Sequence, residues 1–144
     1  MPTSLINNMT SKSNSKKYIY TLGRRKSSVT TIKLFTGKGE SMINGIPLEN
    51  YFPQKIAKII HEKPFVITKT EGKYYFEAKV IGGGKMGQVS SLALAISRAL
   101  VKINESFRSI LRPAGLLTVD SRVRERRMVG TGGKSRRQKQ SPKR

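Results

Sequence analysis

The chain has 144 residues, a length for one domain, and sets 29 Lys and Arg against 8 Asp and Glu for a net charge of +21. With no Cys, no Trp and a single His, it excludes a disulfide scaffold, Cys-ligated zinc, iron–sulfur clusters and thiol catalysis, and no run approaches the ~18 apolar residues of a membrane span. Such a charge on 16.1 kDa repels itself unless a polyanion neutralises it, so nucleic acid is the leading partner class and an anionic membrane surface the second.

Residues 1–17 are rich in Ser, Asn and Lys. They lack a signal peptide's apolar stretch and a mitochondrial presequence's Arg, and read as a disordered leader that orders only on a partner. Gly23-Arg24-Arg25-Lys26-Ser27-Ser28 gathers three cations and two hydroxyls, a composition suited to clamping phosphate, just before a first strand at Val29–Phe35. Gly37-Lys38-Gly39 turns that strand, and Ser41-Met42-Ile43 makes a short return strand ending at the hairpin dipeptide Asn44-Gly45. Pro53, Ile56, Ala57, Ile59 and Ile60 have the spacing of a short amphipathic helix that stops before Pro64. Phe65–Thr68 and Tyr74–Val80 read as two strands of a hairpin turned at Glu71-Gly72, the second with Tyr74, Phe76, Ala78 and Val80 on one face. Val89, Leu92, Ala95, Ile96, Ala99, Leu100 and Ile103 recur at helical spacing from about Gln88 to Asn104, and a second helical piece at Ser106–Leu111 ends at Pro113 and Gly115. Strands followed by a dominant helix predict an α+β sheet-and-helix sandwich over residues 18–120.

Residues 121–144 carry ten basic residues and one acid, Glu125, with three glycines and Pro142 among them. Their only aliphatics or Met are Val123, Met128 and Val129, too little apolar surface to offset ordering entropy, so a basic extended tail is expected.

Gly82-Gly83-Gly84-Lys85-Met86-Gly87 before the long helix suits either a phosphate cradle or a tight turn with positive φ. Gly133-Lys134-Ser135 imitates the end of a P-loop, but Met128 stands where that pattern needs Gly, and no nucleotide site is read there. His61 reads as a helix-end surface residue without a catalytic partner. No carboxylate pair or ligand set points to enzymatic chemistry, a cofactor or a metal. Tyr18, Tyr20, Tyr51, Tyr74 and Tyr75 read as core or strand-pair residues and are given no base contacts.

Thr21-Leu22-Gly23-Arg24-Arg25-Lys26-Ser27-Ser28 and Ile43-Asn44-Gly45-Ile46-Pro47-Leu48-Glu49-Asn50-Tyr51-Phe52-Pro53 resemble signatures of bacterial-type small-subunit ribosomal protein nine. Gly82-Gly83-Gly84 with Gly87-Gln88, Ser97-Arg98-Ala99-Leu100, Leu111-Arg112-Pro113-Ala114-Gly115, Leu117-Thr118-Val119-Asp120 with Arg122, Glu125-Arg126 and a terminal Lys143-Arg144 continue the resemblance in order. The resemblance implies a fold related to the second domain of small-subunit ribosomal protein five, with a left-handed βαβ crossover against the usual right-handed rule. It also implies a structural, non-enzymatic role in the head of the small subunit, beside neighbouring ribosomal proteins and away from membranes. The carboxyl tail would thread through ribosomal RNA, with Lys143 and Arg144 meeting the peptidyl-site transfer RNA. The ribosomal RNA contacts expected on this footing are Arg24, Arg25, Lys26, Lys85, Arg112, Arg122, Arg124, Arg126, Arg127, Lys134, Arg136, Arg137 and Lys139. The tail departs from the family pattern in Gln138-Lys139-Gln140-Ser141-Pro142, where the Pro is moved and a Phe is missing; the tip keeps its charge but loses that ring.

A metabolite kinase on a related fold would need more chain and more acidic groups for Mg²⁺ than this one has. The abundance of Ile, Lys, Asn and Ser is common in AT-rich plastid genomes, so a plastid ribosome is the expected location, with a bacterial cytoplasm as the alternative.

Overall fold

The computed structural model describes residues 17–129, so the expected leader (save Lys17) and the tail beyond residue 129 lie outside the described residues. Strand structure starts earlier than expected. β1 (Tyr18–Arg25) takes in the Gly-Arg-Arg part of the cationic cluster, which is thus not a loop before the first strand. β1 pairs antiparallel with β2 (Ser28–Thr36), from Tyr18 opposite Phe35 to Arg25 opposite Ser28, through a two-residue turn in which Lys26 has φ 54°. Strand alternation explains what composition hid: Thr21 and Gly23 face inward while Tyr18, Tyr20, Leu22 and Arg24 face out.

β3 (Met42–Ile43) and β4 (Ile46–Pro47) form the expected hairpin at Asn44-Gly45, whose φ values of 50° and 80° are both positive. β3 is not a return strand for β2, however. It pairs in parallel with β5 (Tyr74–Ile81), and the sheet order is β1-β2-β5-β3-β4. The Asn44 side chain prolongs that pairing, donating to the Val80 carbonyl and accepting from its N–H, each at 3.0 Å.

Between β4 and β5 run α1 (Leu48–Tyr51) and α2 (Lys55–Thr68). Here the expectation fails most. Phe65–Thr68 is not a strand, and Pro64 does not stop the helix but lies buried inside it. Ala57, His61, Pro64 and Thr68 are the buried residues, spaced four, three and four, so one helical stripe runs unbroken through the proline. Packing of that stripe outweighs the lost backbone hydrogen bond, a cost of roughly 3 kcal/mol. The Thr68 hydroxyl donates to the Pro64 carbonyl at 2.9 Å, and Lys69, at φ 54°, ends the helix. His61 is therefore core-facing, at 5% exposure, rather than a surface residue.

α3 (Lys85–Ile103) matches the expected long helix but begins three residues earlier, and α4 (Phe107–Leu111) follows it. α3 packs on β1, β2 and β5, while α2 and α4 pack on α3. With neighbours on several sides it buries Ser91, Ala93, Leu94, Ser97 and Val101 beyond the expected apolar stripe. The core joins Ile32, Leu34, Phe76, Ala78 and Val80 of the sheet to Val89, Leu92, Ile96 and Leu100 of α3. The architecture is α+β, with helices on one sheet face.

The contact between α3 and the β1–β2 hairpin is unusually close. A Cβ on Gly23 would collide with the Ser91 carbonyl oxygen and lie 2.8 Å from the Ala95 nitrogen. Thr21 Oγ1 donates to the Ala95 carbonyl at 2.8 Å, and Ser91 Oγ lies 2.5 Å from Thr30 Oγ1 and 3.2 Å from Ser28 Oγ. Replacing Gly23→Ala should destabilise the chain by about 3 kcal/mol through overpacking, read from urea unfolding; an unchanged midpoint refutes the close packing. His61 supplies a second test. Burial first, and the Lys58 charge second, push its pKa down to about 4 from 6.5. The unfolded chain takes up that proton near pH 6.5 and the folded one only near pH 4, so stability is full above about 6.5 and falls as pH drops toward 4. The loss should be about 2 kcal/mol between pH 7 and 4.5 and should disappear in His61→Gln, measured by urea unfolding at the two pH values.

Candidate nucleic-acid interface

The hairpin turn, the glycine loop and the chain after residue 119 meet at one end of the molecule. Gly82 and Gly83 have φ 74° and 67°. A Cβ on the first would lie 2.6 Å from the Ser27 carbonyl oxygen, and on the second 2.9 Å from Ser28 Cβ. The loop thus needs glycine both for its backbone angles and for its approach to the turn that carries Lys26. Lys85 points elsewhere. Its ammonium lies 3.3 Å from the Tyr51 carbonyl oxygen and 3.7 Å from the centre of the Tyr51 ring, engaged with α1 rather than with the glycine backbone. Gln88 ties loop and helix together, donating to the Gly82 carbonyl at 3.2 Å and accepting from the Tyr51 hydroxyl at 3.1 Å.

Arg25, the last residue of β1, is the centre of a clasp. Its guanidinium donates to the Arg122 carbonyl at 2.9 Å and pairs with Asp120 Oδ2 at 3.1 Å. Asp120 also receives a forked pair from Arg122, Nε to Oδ1 at 2.9 Å and Nη2 to Oδ2 at 2.7 Å, and the Arg122 backbone N–H at 3.0 Å. The side-chain and then the backbone hydrogen bonds of Arg122 hold the Asp120 carboxyl well below the usual carboxylate range; desolvation opposes them, and the Arg122 and Arg25 charges add to them. Asp120 in turn raises Arg122 above its ordinary value. One acid therefore fastens the root of the basic segment to the folded domain while the clasp keeps a positive excess.

Among the expected contact residues, Arg24 and Lys26 are exposed at the hairpin turn, beside Arg25 and Arg122. Residues 121–129 have no regular secondary structure and are all exposed, which puts Arg124, Arg126 and Arg127 in open chain. Arg112 stands apart. It lines a groove of about 560 Å³ with Arg98, Lys102 and Arg108. Leu22 and Thr118 also line this groove, so it adjoins the clasp along β1. Lys134, Arg136, Arg137, Lys139, Lys143 and Arg144 lie outside the described residues. Sequence reasoning passed over Arg98, Lys102 and Arg108. The signal available for the first two was their i,i+4 spacing at the edge of the α3 apolar stripe. Both reach the sheet edge, Arg98 donating to the Leu22 carbonyl at 2.7 Å and Lys102 to the Tyr20 carbonyl at 2.8 Å. Among the described residues no group of three or more His, Cys, Asp or Glu could hold a metal ion, and no helix is long and apolar enough to cross a membrane.

Comparison with known proteins gives a consistent result. The family described as Ribosomal protein S9/S16 matches residues 23–144. The chain is 44% identical over 119 residues to the small ribosomal subunit protein uS9 of Maridesulfovibrio salexigens, covering 83% of this chain and 92% of that one. It is 45% identical over 116 residues to the protein of the same name from Lawsonia intracellularis, covering 81% and 89%. The Ureaplasma parvum uS9 is 46% identical over 115 residues, covering 80% and 86%.

The clasp predicts a local effect. Asp120→Ala should speed hydrogen exchange of the Arg122 amide about tenfold, the loss of one charge-assisted hydrogen bond. Because the pair is solvent-exposed, global unfolding should be almost unchanged. Unaltered exchange at Arg122 would show that the root is held by something else.

Proposed function

The chain belongs to the Ribosomal protein S9/S16 family, and on that premise we propose that it uses a rigid α+β platform to present cationic arms to folded ribosomal RNA. It is a structural, non-enzymatic protein of the small ribosomal subunit, with ribosomal RNA and other ribosomal proteins as its partners. The proposal goes further, to where the RNA is held. The observation that carries it is the gathering of Arg24, Arg25, Lys26 and Arg122 at the point where the exposed segment 121–129 leaves the domain. Phosphates placed there would meet guanidinium groups whose orientation is already fixed, while Arg124, Arg126 and Arg127 adapt to the RNA path. Each phosphate neutralised releases counterions, so affinity comes from charge and is salt-dependent. The glycine loop packs against the same turn, and Arg112 extends the basic surface along the groove. Lys134, Arg136, Arg137 and Lys139 would continue the RNA contact along the tail.

At the tip, Lys143 and Arg144 would steady the peptidyl-site transfer RNA without reading its sequence, because phosphate contacts position rather than specify. This part rests on the family resemblance and on retained charge at residues 143 and 144. The same footing supports assigning the left-handed crossover to the parallel β3–β5 pair, which is joined through α2. For location, the bacterial sources of the relatives support a bacterial cytoplasm. Only the amino-acid composition supports a plastid ribosome.

Alanine at Arg122, Arg124, Arg126 and Arg127 together should weaken ribosomal RNA binding and flatten the slope of log affinity against log salt by about 3. Deleting Lys143 and Arg144 should reduce transfer RNA retention on assembled subunits without hindering assembly. An intact salt slope would overturn the arm, and unchanged retention would overturn the tip.

A further inference from the structure

The helices cover one face of the sheet, and the other face carries ordered rows of side chains across β1, β2 and β5. The strand register places Tyr18, Phe35 and Tyr75 in one row. Tyr20, Lys33 and Glu77 form the next, then Leu22, Thr31 and Lys79, and last Arg24, Val29 and Ile81. The first row packs ring against ring, with Tyr18 still 47% exposed and the Lys33 ammonium 5.2 Å from its ring centre. Phe35 and Tyr75 stack with ring centres 5.1 Å apart, Tyr18 leans on Phe35 at 5.8 Å, and Gly39 lies against the Tyr75 ring. The second row is open. Tyr20 is a strand-pair residue opposite Lys33, as expected, but its ring is 51% exposed. Beside it a depression of about 450 Å³ is lined by Tyr20, Thr31, Lys33, Glu77 and Lys79, with Met42, Gly45 and Ala78 completing it.

We infer that this open face binds unpaired RNA nucleotides, with Tyr20 as a stacking platform and Lys33, Lys79 and Arg24 as phosphate contacts. Three cations against the single acid Glu77 make the face complementary to a polyanion. Within the depression the exposed Tyr20 ring stands beside hydroxyl, ammonium and carboxylate groups, an arrangement that suits a base, which offers a π face and hydrogen-bonding edges. The inference rests on the RNA-binding reading above but uses stacking, which the cationic arms do not supply.

The test uses the full chain with a fluorescently labelled 12-nucleotide single-stranded RNA and a 12-base-pair RNA duplex over a range of salt. Tyr20→Ala should weaken single-strand binding about tenfold at every salt concentration, leave the salt slope unchanged, and leave duplex binding unchanged. Tyr20→Phe should restore binding, since the ring is kept. Equal single-strand binding by Tyr20→Ala overturns the inference, as does an equal loss for the duplex. In assembled subunits, crosslinks from the Tyr20 position to RNA support it, and crosslinks only to a neighbouring protein overturn it. Failure here leaves the salt slope intact, whereas failure of the arm reading appears in the slope itself.

Discussion

The approach of α3 to the β1–β2 hairpin is the contact on which the other features depend. Gly23 lets helix backbone come against strand backbone, and the hydroxyls of Thr21, Ser28, Thr30 and Ser91 fill the seam with hydrogen bonds instead of bulk. A larger apolar residue at any of these positions would hold the layers apart. The consequences reach the basic end directly. Arg25 follows Gly23 by two residues, and Ser28 supports the glycine loop that begins the approach to α3. Fixing the seam therefore fixes the turn, the loop and, through Asp120, the root of the basic segment.

Several cations serve the fold before they serve a partner. Arg25 holds residues 120 and 122, Arg98 and Lys102 bind β1 carbonyls, and Lys85 covers the Tyr51 ring. Each gives some N–H groups to the protein and keeps its full positive charge. A guanidinium held by a carbonyl can still attract phosphate through its remaining donors, with less rotamer entropy left to lose. Net charge is thus turned into a pattern with fixed positions up to Arg122 and exposed open chain at Arg124, Arg126 and Arg127.

The legible parts of the fold were those where one local signal sufficed. α3 declares itself by apolar spacing, β5 by alternation, and the β3–β4 hairpin by Asn44-Gly45. β1 was lost because exposed Tyr18, Tyr20, Leu22 and Arg24 alternate with a small glycine and a threonine, so its inner face carries little hydrophobicity. Phe65–Thr68 misled because four β-branched or aromatic residues after a proline imitate a strand. The 57, 61, 64, 68 spacing carried the correct answer, but seeing it required accepting Pro64 and His61 as core. In the site, the Arg24–Lys26 cluster was visible as charge. The Arg25–Asp120 bridge joins residues 95 positions apart and has no local trace.

The sheet edges narrow the ways in which this protein can recognise a partner. An unprotected edge strand would offer a ladder to another chain. On β1 the Tyr20 and Leu22 carbonyls are already occupied by Lys102 and Arg98, so a strand added there would have to displace two cations. At the opposite edge β4 has two residues, one of them Pro47, which has no N–H to donate. Strand addition is therefore disfavoured at both edges, and recognition is left to side chains. On the groove beside β1 those side chains are Arg98, Lys102, Arg108 and Arg112, and on the open face they are Tyr20, Lys33 and Lys79. Both sets have the chemistry of a polyanion site rather than of a peptide-backbone site, and two of the groove residues, Arg98 and Lys102, are also the ones that guard the β1 edge.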